Sequence, residues 1–350
     1  MDHLPSNQKL LDALLQSHAI NAEQYSRCKQ LTGMTPAKED WRQFLDQFLL
    51  FLGASLLGLG IIFFFAYNWQ DLHKFTKFAL IASAILACII LTHFKGTNTP
   101  SGKAGLLVAS LLTGTLLAVY GQTYQTGADP YGLFLGWATL ILGWVWLARL
   151  QALWMLFILL CNLALIMYWS EFMSALITRN SLFFTGNPLL HRLAGMSDLE
   201  LNVILIVFNS IVFITWEYIL RQSNQKASRW AVRLLVTYIV ILVTQIWLKI
   251  LFSYDFYYYD ETSFLKPLGI FTYIIVLASI VFFYKNKGRD LYMLAISYFS
   301  FTIGFCTLIG KGIDDIVASF LMLSIIAVGL SSAFAISLKK TAREWRGEHE

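Results

Sequence analysis

The chain has 350 residues, of which 57% are hydrophobic and 13% charged, and its formal net charge is +5. A soluble domain carries about 25% charged residues, so this composition excludes an ordinary soluble protein. The apolar residues also form long blocks without any charged side chain, at 47–70, 104–128, 130–148, 150–170, 291–310 and 316–338. Continuous rather than alternating hydrophobicity excludes a membrane β-barrel. The sequence therefore predicts an all-α, polytopic helical membrane protein.

The polar N-terminal segment is predicted to form a cytoplasmic helical hairpin and a linker over residues 1–42. One apolar stripe consists of Leu10, Leu11, Leu14 and Leu15. Asn21 followed by Gln24 is typical of a capping box that opens a second helix. Helices this short are marginal alone, so residues 7–32 should pack on another surface. Two interpretations stay open: a docking element for a cytoplasmic protein partner, or a lid on this protein's own spans.

About 20 apolar residues cross the bilayer as a helix, and this length predicts ten spans. They lie near 44–67, 76–94, 104–122, 132–148, 152–169, 200–220, 231–251, 267–284, 290–309 and 315–337. All six prolines fall in connections or at a helix start, so the helices should be mostly unbroken. The first 40 residues are too polar for a cleavable signal peptide, and the first span is expected to act as its own insertion signal.

Lysine and arginine favour the cytoplasmic side of a membrane, and their distribution predicts the orientation. With both termini inside, nineteen of the 26 basic residues fall on cytoplasmic segments and seven on external ones. The predicted organisation is a first membrane half at 43–170, an external connection at 171–199, a second half at 200–338 and a cytoplasmic tail at 339–350. This asymmetry explains the net positive charge without a nucleic-acid partner. The expected partner is the lipid bilayer.

The ten spans divide into five and five, and the second five would enter the membrane from the opposite side. That arrangement is typical of inverted-repeat carriers, although the residues themselves show no repeat.

Two external connections have unusual compositions. Residues 170–199 mix aromatic and aliphatic with polar side chains, and an interfacial helix is one interpretation. The connection 253–266 contains four tyrosines, two aspartates and one glutamate within residues 254–261. Tyrosines at a span end usually form an aromatic belt. The three acidic groups leave a second interpretation open, a site for a cation or a sugar-like group.

Groups that carry chemistry are scarce inside the spans. Glu217 lies four residues before Arg221, and this spacing predicts an ion pair on one helix face. Asn162, Asn209 and Gln245 are neutral polar groups that would line a path or bridge helices. The four cysteines are separated along the chain, and no phosphate-loop, dinucleotide or nucleophile-elbow pattern is complete. We therefore expect no catalytic residue, metal or cofactor, and the prediction leans away from an enzyme.

The most polar stretch near the predicted outer face runs from Tyr120 to Tyr131. Asn68 and Trp69 end the first span on the same side, and the two stretches would form an external vestibule. The other interpretation is two helix ends capped at the membrane interface. The candidate substrate-binding residues are Asn68, Trp69, Gln122, Tyr124, Gln125, Asp129, Asn162 and Gln245.

Three stretches of the chain carry a likeness to a known family. They are the glycine-rich first span Gly53-Ala54-Ser55-Leu56-Leu57-Gly58-Leu59-Gly60 running on to Ala66-Tyr67-Asn68-Trp69, the motif Tyr120-Gly121-Gln122-Thr123-Tyr124-Gln125 followed by Trp137, and the hairpin with Ile20 and Glu23-Gln24-Tyr25. Over roughly residues 8–170 the sequence resembles the bacterial "domain of unknown function 2157" membrane family. The resemblance implies a multi-pass protein of the bacterial cytoplasmic (inner) membrane and brings no established activity.

Two functions remain as hypotheses. The first is a carrier or translocator of an uncharged or amphipathic substrate, including a lipid-linked one, because neutral polar groups and many aromatic rings suit such a molecule. The alternative is a non-catalytic scaffold or sensor that recruits its partner through the N-terminal hairpin.

Overall fold

A computed structural model describes residues 7–31, 38–67, 73–124, 127, 129–181, 188–222, 229–252, 265–313 and 315–346. Over these residues the chain is all-helical and contains no strand. The helices are α1 (Asn7–Gln16), α2 (Ala22–Leu31), α3 (Lys38–Tyr67), α4 (Lys74–Lys95), α5 (Pro100–Tyr124), α6 (Pro130–Ala148), α7 (Gln151–Ser181), α8 (Pro188–Gln222), α9 (Trp230–Phe252), α10 (Leu265–Phe283), α11 (Leu291–Gly310) and α12 (Ile316–Arg346). A π-helical turn, Tyr284–Gly288, directly follows α10.

Ten of the described helices are long and apolar enough to cross a membrane, which confirms the predicted number of apolar spans. The stretches are Trp41–Ile61, Lys74–Lys95, Pro100–Tyr124, Pro130–Ala148, Gln151–Phe172, Glu200–Leu220, Trp230–Phe252, Pro267–Gly288, Leu291–Gly310 and Ser319–Trp345. Pro100, Pro130 and Pro188 each open a helix, where the missing N–H removes no helical hydrogen bond. The predicted capping box is also present, since Asn21 and Gln24 exchange backbone-to-side-chain bonds of 2.9 and 2.8 Å.

The described residues of the long connection at 170–199 are helical, and the interfacial position of this helix stays a prediction. Its first part continues α7 as far as Ser181, and its last part is the beginning of α8, from Pro188. A helix continues past the apolar region when its residues keep good helical propensity. The change from apolar to polar residues therefore does not mark the end of the helix. The acidic tyrosine-rich stretch at 254–261 lies outside the described residues.

The chain forms two compact units, Met1–Ala164 and Leu165–Glu350, and the boundary between them falls within α7. In the N-terminal unit α5 is the central helix and packs against α3, α4 and α6. Small residues allow this close packing. A Cβ added to Gly114 would lie 2.5 Å from the indole of Trp137, whose Nε1 donates a 2.7 Å hydrogen bond to Ser110 O.

The small residues of the first span face two directions. A Cβ added to Gly58 would lie 3.2 Å from Leu111 of α5, so the absence of a side chain at this residue allows α5 to approach closely. Added Cβ atoms at Gly53 and Gly60 would meet no atom within 4 Å. Only part of the glycine cluster is therefore explained by packing against α5.

In the C-terminal unit α9 is the central helix and packs against α8, α10 and α11, while α12 packs against α11. Polar bonds join three of these helices within the apolar interior. Trp247 donates to Gly304 O at 3.0 Å, Tyr273 donates to Ser300 O at 2.8 Å, and Thr244 pairs with the Ser300 hydroxyl at 2.7 Å. These bonds satisfy polar groups that the membrane could not hydrate.

Candidate functional site

Three of the predicted substrate-binding residues, Gln122, Tyr124 and Asp129, are exposed, at the end of α5 and just before α6. Gln122 and Tyr124 lie two positions apart, or about 200° around the helix axis, so their side chains leave α5 on different faces. Asn68, Trp69 and Gln125 lie outside the described residues. The structure therefore does not bring Gln122 and Tyr124 onto one surface.

Tyr124 belongs to an aromatic cluster with Phe78 of α4 and Tyr120, one turn earlier on α5. The ring centroids of Phe78 and Tyr124 are 6.0 Å apart, and those of Tyr120 and Tyr124 are 5.0 Å apart. Lys74 Nζ lies 5.9 Å from the Tyr124 centroid, which is a cation–π distance. Phe78 and Lys74 were not predicted, because only the packing of α4 on α5 places them beside Tyr124.

The three neutral polar residues predicted in later spans have different surroundings. Asn162 is buried and donates from Nδ2 to Ile158 O at 2.8 Å, and Asn209 makes the same bond to Leu205 O. Each of these bonds stays within one helix. Gln245 is exposed on α9. Asn162 belongs to the N-terminal unit and Gln245 to the C-terminal unit, so each has to be considered within its own unit.

A groove of about 440 Å³ lies within the C-terminal unit. Its walls are α8 and α10, and α9 forms the floor, because both wall helices pack on α9. The apolar lining comprises Phe213, Ile214, Val236, Ile239, Ile275, Val276, Ile280 and Phe283. Ile214 is 63% exposed and Ile275 is 59% exposed, so the groove opens at the side of the helical unit.

Polar side chains meet at one end of this groove. Glu217 of α8 lines the groove and is 5% exposed. Both of its carboxylate oxygens accept bonds from Nη2 of Arg229 at 2.9 Å, and Oε2 also accepts the hydroxyl of Tyr284 at 3.3 Å. The Arg229 guanidinium lies 5.7 Å from the Tyr284 ring centroid. A buried carboxylate is stable here because it is paired and hydrogen-bonded.

A second buried carboxylate continues the network. Asp290 is 4% exposed and accepts two bonds from Arg233, at 3.1 and 3.2 Å. It also accepts the backbone N–H of Tyr292 at 3.1 Å and so caps the start of α11. Arg229 Nε lies 3.5 Å from Asp290 Oδ2. The guanidinium of Arg229 therefore stands between both carboxylates.

The π-helical turn places Tyr284 in this network. Tyr284 is fully buried, and its carbonyl accepts the N–H of Arg289, which adopts a left-handed conformation with φ of 47°. The next carbonyl along, that of Lys285, accepts Nε1 of Trp345 from α12 at 3.2 Å. Single π-helical turns often occur at functional sites. The turn thus joins α10 and α12 to the polar end of the groove.

Sequence reasoning identified Glu217 but did not identify Arg229 as a partner. The side chain of Arg221, the predicted partner, lies outside the described residues, whereas Arg229 follows the connection between α8 and α9. Two signals were available in the sequence: Arg229 and Arg233 are four residues apart at a helix start, and Asp290 directly precedes an apolar span. Neither signal gives the pairing, because the helices have to be assembled first.

In the described part of the chain, no three His, Cys, Asp or Glu side chains lie close enough together to hold a metal ion. The groove is lined mostly by apolar side chains and ends at paired charges. It can therefore accommodate a molecule with a long apolar part and a polar end.

Comparison with known sequences confirms the family resemblance over part of the chain. Residues 12–154 match the family described as "Predicted membrane protein (DUF2157)". No curated protein and no solved structure matches the chain. The groove between α8 and α10 lies outside the matched residues, so no relative accounts for it.

Proposed function

We propose that this protein is a membrane carrier of an amphipathic, lipid-like molecule that binds in the groove between α8 and α10. The observation that carries the proposal is the position of Glu217 at one end of a groove whose lining is mostly apolar. A lipid has the same division, with one polar end and a long apolar part. The proposal narrows the uncharged or amphipathic substrate expected from sequence to an amphipathic one.

The dimensions of the groove support a lipid chain. From Ser210 to Tyr218 the lining follows α8 for about 12 Å, at 1.5 Å per residue, which approaches the depth of one leaflet, about 15 Å. The exposed Ile214 and Ile275 at its opening would face hydrocarbon. A lipid would therefore enter from the side of the helical unit without leaving the membrane.

The proposed orientation places the polar end of the groove at the cytoplasmic face of a bacterial inner membrane. It rests on the distribution of lysine and arginine, with both termini inside. Under this arrangement the headgroup of an inner-leaflet lipid lies at the level of Glu217 and Tyr284. In the N-terminal unit, the exposed Gln122, Tyr124 and Asp129 would offer polar groups to a substrate at the external face.

The proposal is tested in proteoliposomes with fluorescent lipids that carry a nitrobenzoxadiazole label, one on phosphatidylglycerol and one on phosphatidylethanolamine. Protein-dependent movement is measured as the label that becomes accessible to dithionite outside the vesicles. Ile214→Trp fills the groove and should lower the rate to that of protein-free vesicles. Ile219→Trp is the matched control, because Ile219 is 59% exposed on the same helix and does not line the groove. Equal rates for both variants would contradict the proposal.

A scaffold that recruits a cytoplasmic protein remains the second candidate. The observation in its favour is Leu10, which is 47% exposed on α1 beside the buried Leu11. An exposed leucine on a short amphipathic helix suits binding to a partner. Deletion of residues 1–35 should then abolish the capture of a partner, and with it the scaffold function, while lipid movement is unchanged. A truncated protein with full function would exclude this candidate.

A further inference from the structure

The charges at the polar end of the groove indicate which headgroup it takes, an inference that rests on the proposed lipid-binding groove. Both buried carboxylates are already occupied. Glu217 accepts two bonds from Arg229 and one from Tyr284, and Asp290 accepts two bonds from Arg233 and one from the backbone of α11. Their remaining capacity to accept a bond from a ligand is small, so a cationic headgroup has no free anionic partner there among the residues that the structure describes.

The donors, in contrast, are in surplus. An arginine side chain has five N–H donors, and the bonds from Arg229 to Glu217 use only Nη2. In the described part of the chain, Arg229 Nε is buried without a hydrogen bond and lies 3.5 Å from Asp290, so it serves Asp290 and the terminal nitrogens remain for a ligand. The Arg229 side chain is 32% exposed and that of Arg233 is 45% exposed, so both remain accessible.

Three further cations lie within five residues of Tyr284, in or just after the π-helical turn. They are Lys285, Lys287 and Arg289, and all three are exposed. The exposed charge within five residues of Tyr284 is therefore positive, while the carboxylates of Glu217 and Asp290 are buried and paired. Basic surfaces at the cytoplasmic end of membrane helices bind anionic headgroups.

We infer that the polar end of the groove binds the phosphate of an anionic phospholipid, through Arg229 and the cations of the π-helical turn. The apolar chain of that lipid lies along Ile214 and Ile275. Arginine N–H groups bond phosphate oxygens strongly, and the lysines add attraction without a fixed geometry. A zwitterionic lipid carries the same phosphate with a neutralising ammonium, so it is the appropriate competitor.

The test is native mass spectrometry of the purified full chain with equal amounts of dioleoyl-phosphatidylglycerol and dioleoyl-phosphatidylethanolamine. The wild-type protein should retain the anionic lipid in preference. Lys285→Gln/Lys287→Gln should lower that preference by up to about 25-fold, since each of the two basic residues near a headgroup contributes roughly fivefold. The matched control is Lys339→Gln/Lys340→Gln, which removes two exposed cations from α12 on the same predicted side of the membrane.

The outcomes separate the explanations. An equal loss in both double variants would mean that general surface charge attracts the lipid, and it would overturn the site. Equal retention of the two lipids by the wild-type protein would overturn it as well.

Loss of the retained anionic lipid in Ile214→Trp would support one site for the headgroup and the chain. Selective retention without lipid movement in proteoliposomes would support this inference and contradict the carrier proposal, so the two fail separately. Soluble glycerol phosphate, added at 1 mol per mol of lipid, distinguishes a free phosphate from a headgroup. It should not displace the lipid, because only the lipid also binds through its chain in the groove.

Discussion

Gly288 and Tyr284 pack so closely that a side chain at position 288 cannot be accommodated: a Cβ added to Gly288 would lie 2.2 Å from Cδ1 of Tyr284. The two residues are the ends of the π-helical turn. Tyr284 is fully buried, and its ring also packs against those of Phe213 and Phe283. The glycine therefore holds the tyrosine where its hydroxyl reaches Glu217.

We predict that Gly288→Ala destabilises the protein by about 1–3 kcal/mol, the usual cost of overpacking a filled interior. The measurement is thermal unfolding of the purified protein in detergent micelles. Gly329→Ala is the control, because an added Cβ there meets no atom within 4 Å and alanine favours a helix by up to about 1 kcal/mol. Equal unfolding temperatures for Gly288→Ala and the wild-type protein would show that the turn relaxes without cost.

The ion pair between Glu217 and Arg229 gives a second prediction. Glu217→Gln should destabilise the protein by about 1–3 kcal/mol, because the Arg229 guanidinium loses a charged partner in a largely buried site. The partial exposure of Arg229 keeps the loss below that of a fully buried pair. Glu344→Gln, at an exposed position of α12, should leave the unfolding free energy unchanged.

The double variant Glu217→Gln/Arg229→Gln separates the pair from its surroundings. If the two residues act together, the double variant should be more stable than the sum of the single losses implies, with a coupling of about 0.5–3 kcal/mol. Additive losses would mean that each side chain contributes through other partners, for Arg229 the neighbouring Asp290.

The spans and the polar network differ in how far they follow from the sequence. A span depends on a local property, about 20 consecutive apolar residues, and each predicted span has a matching helix. The network joins residues 12, 57 and 67 positions apart, and those contacts exist only after four helices have packed. The Asn21–Gln24 box was predictable because both partners lie within one helical turn. Lys74 beside Tyr124 was not, because it depends on how α4 packs against α5.

At the predicted external face, Tyr124→Ala and Gln122→Ala should each reduce lipid movement while the amount of protein in the membrane stays normal. Tyr124 would act through its aromatic cluster with Phe78, so Tyr124→Phe should keep most of the activity. Gln122 would act through its exposed amide on a different face of α5. Tyr67→Ala serves as the control, since Tyr67 is 91% exposed on the same predicted side. Normal movement in both alanine variants would remove these residues from the site and leave the groove unaffected.

The predicted orientation is tested with single cysteines in a cysteine-free background, labelled by a maleimide that cannot cross the membrane. Asn98 and Asp129 are both exposed. Asn98 lies just before α5 and Asp129 just after it, so one helix of 25 residues separates them. If both termini are inside, Asp129→Cys reacts in spheroplasts and Asn98→Cys reacts only after the membrane is permeabilised. The reverse pattern would place the Glu217 end of the groove outside. The lipid that meets Arg229 would then come from the outer leaflet. The excess of basic residues in the protein segments on that side could not be explained by the usual cytoplasmic bias.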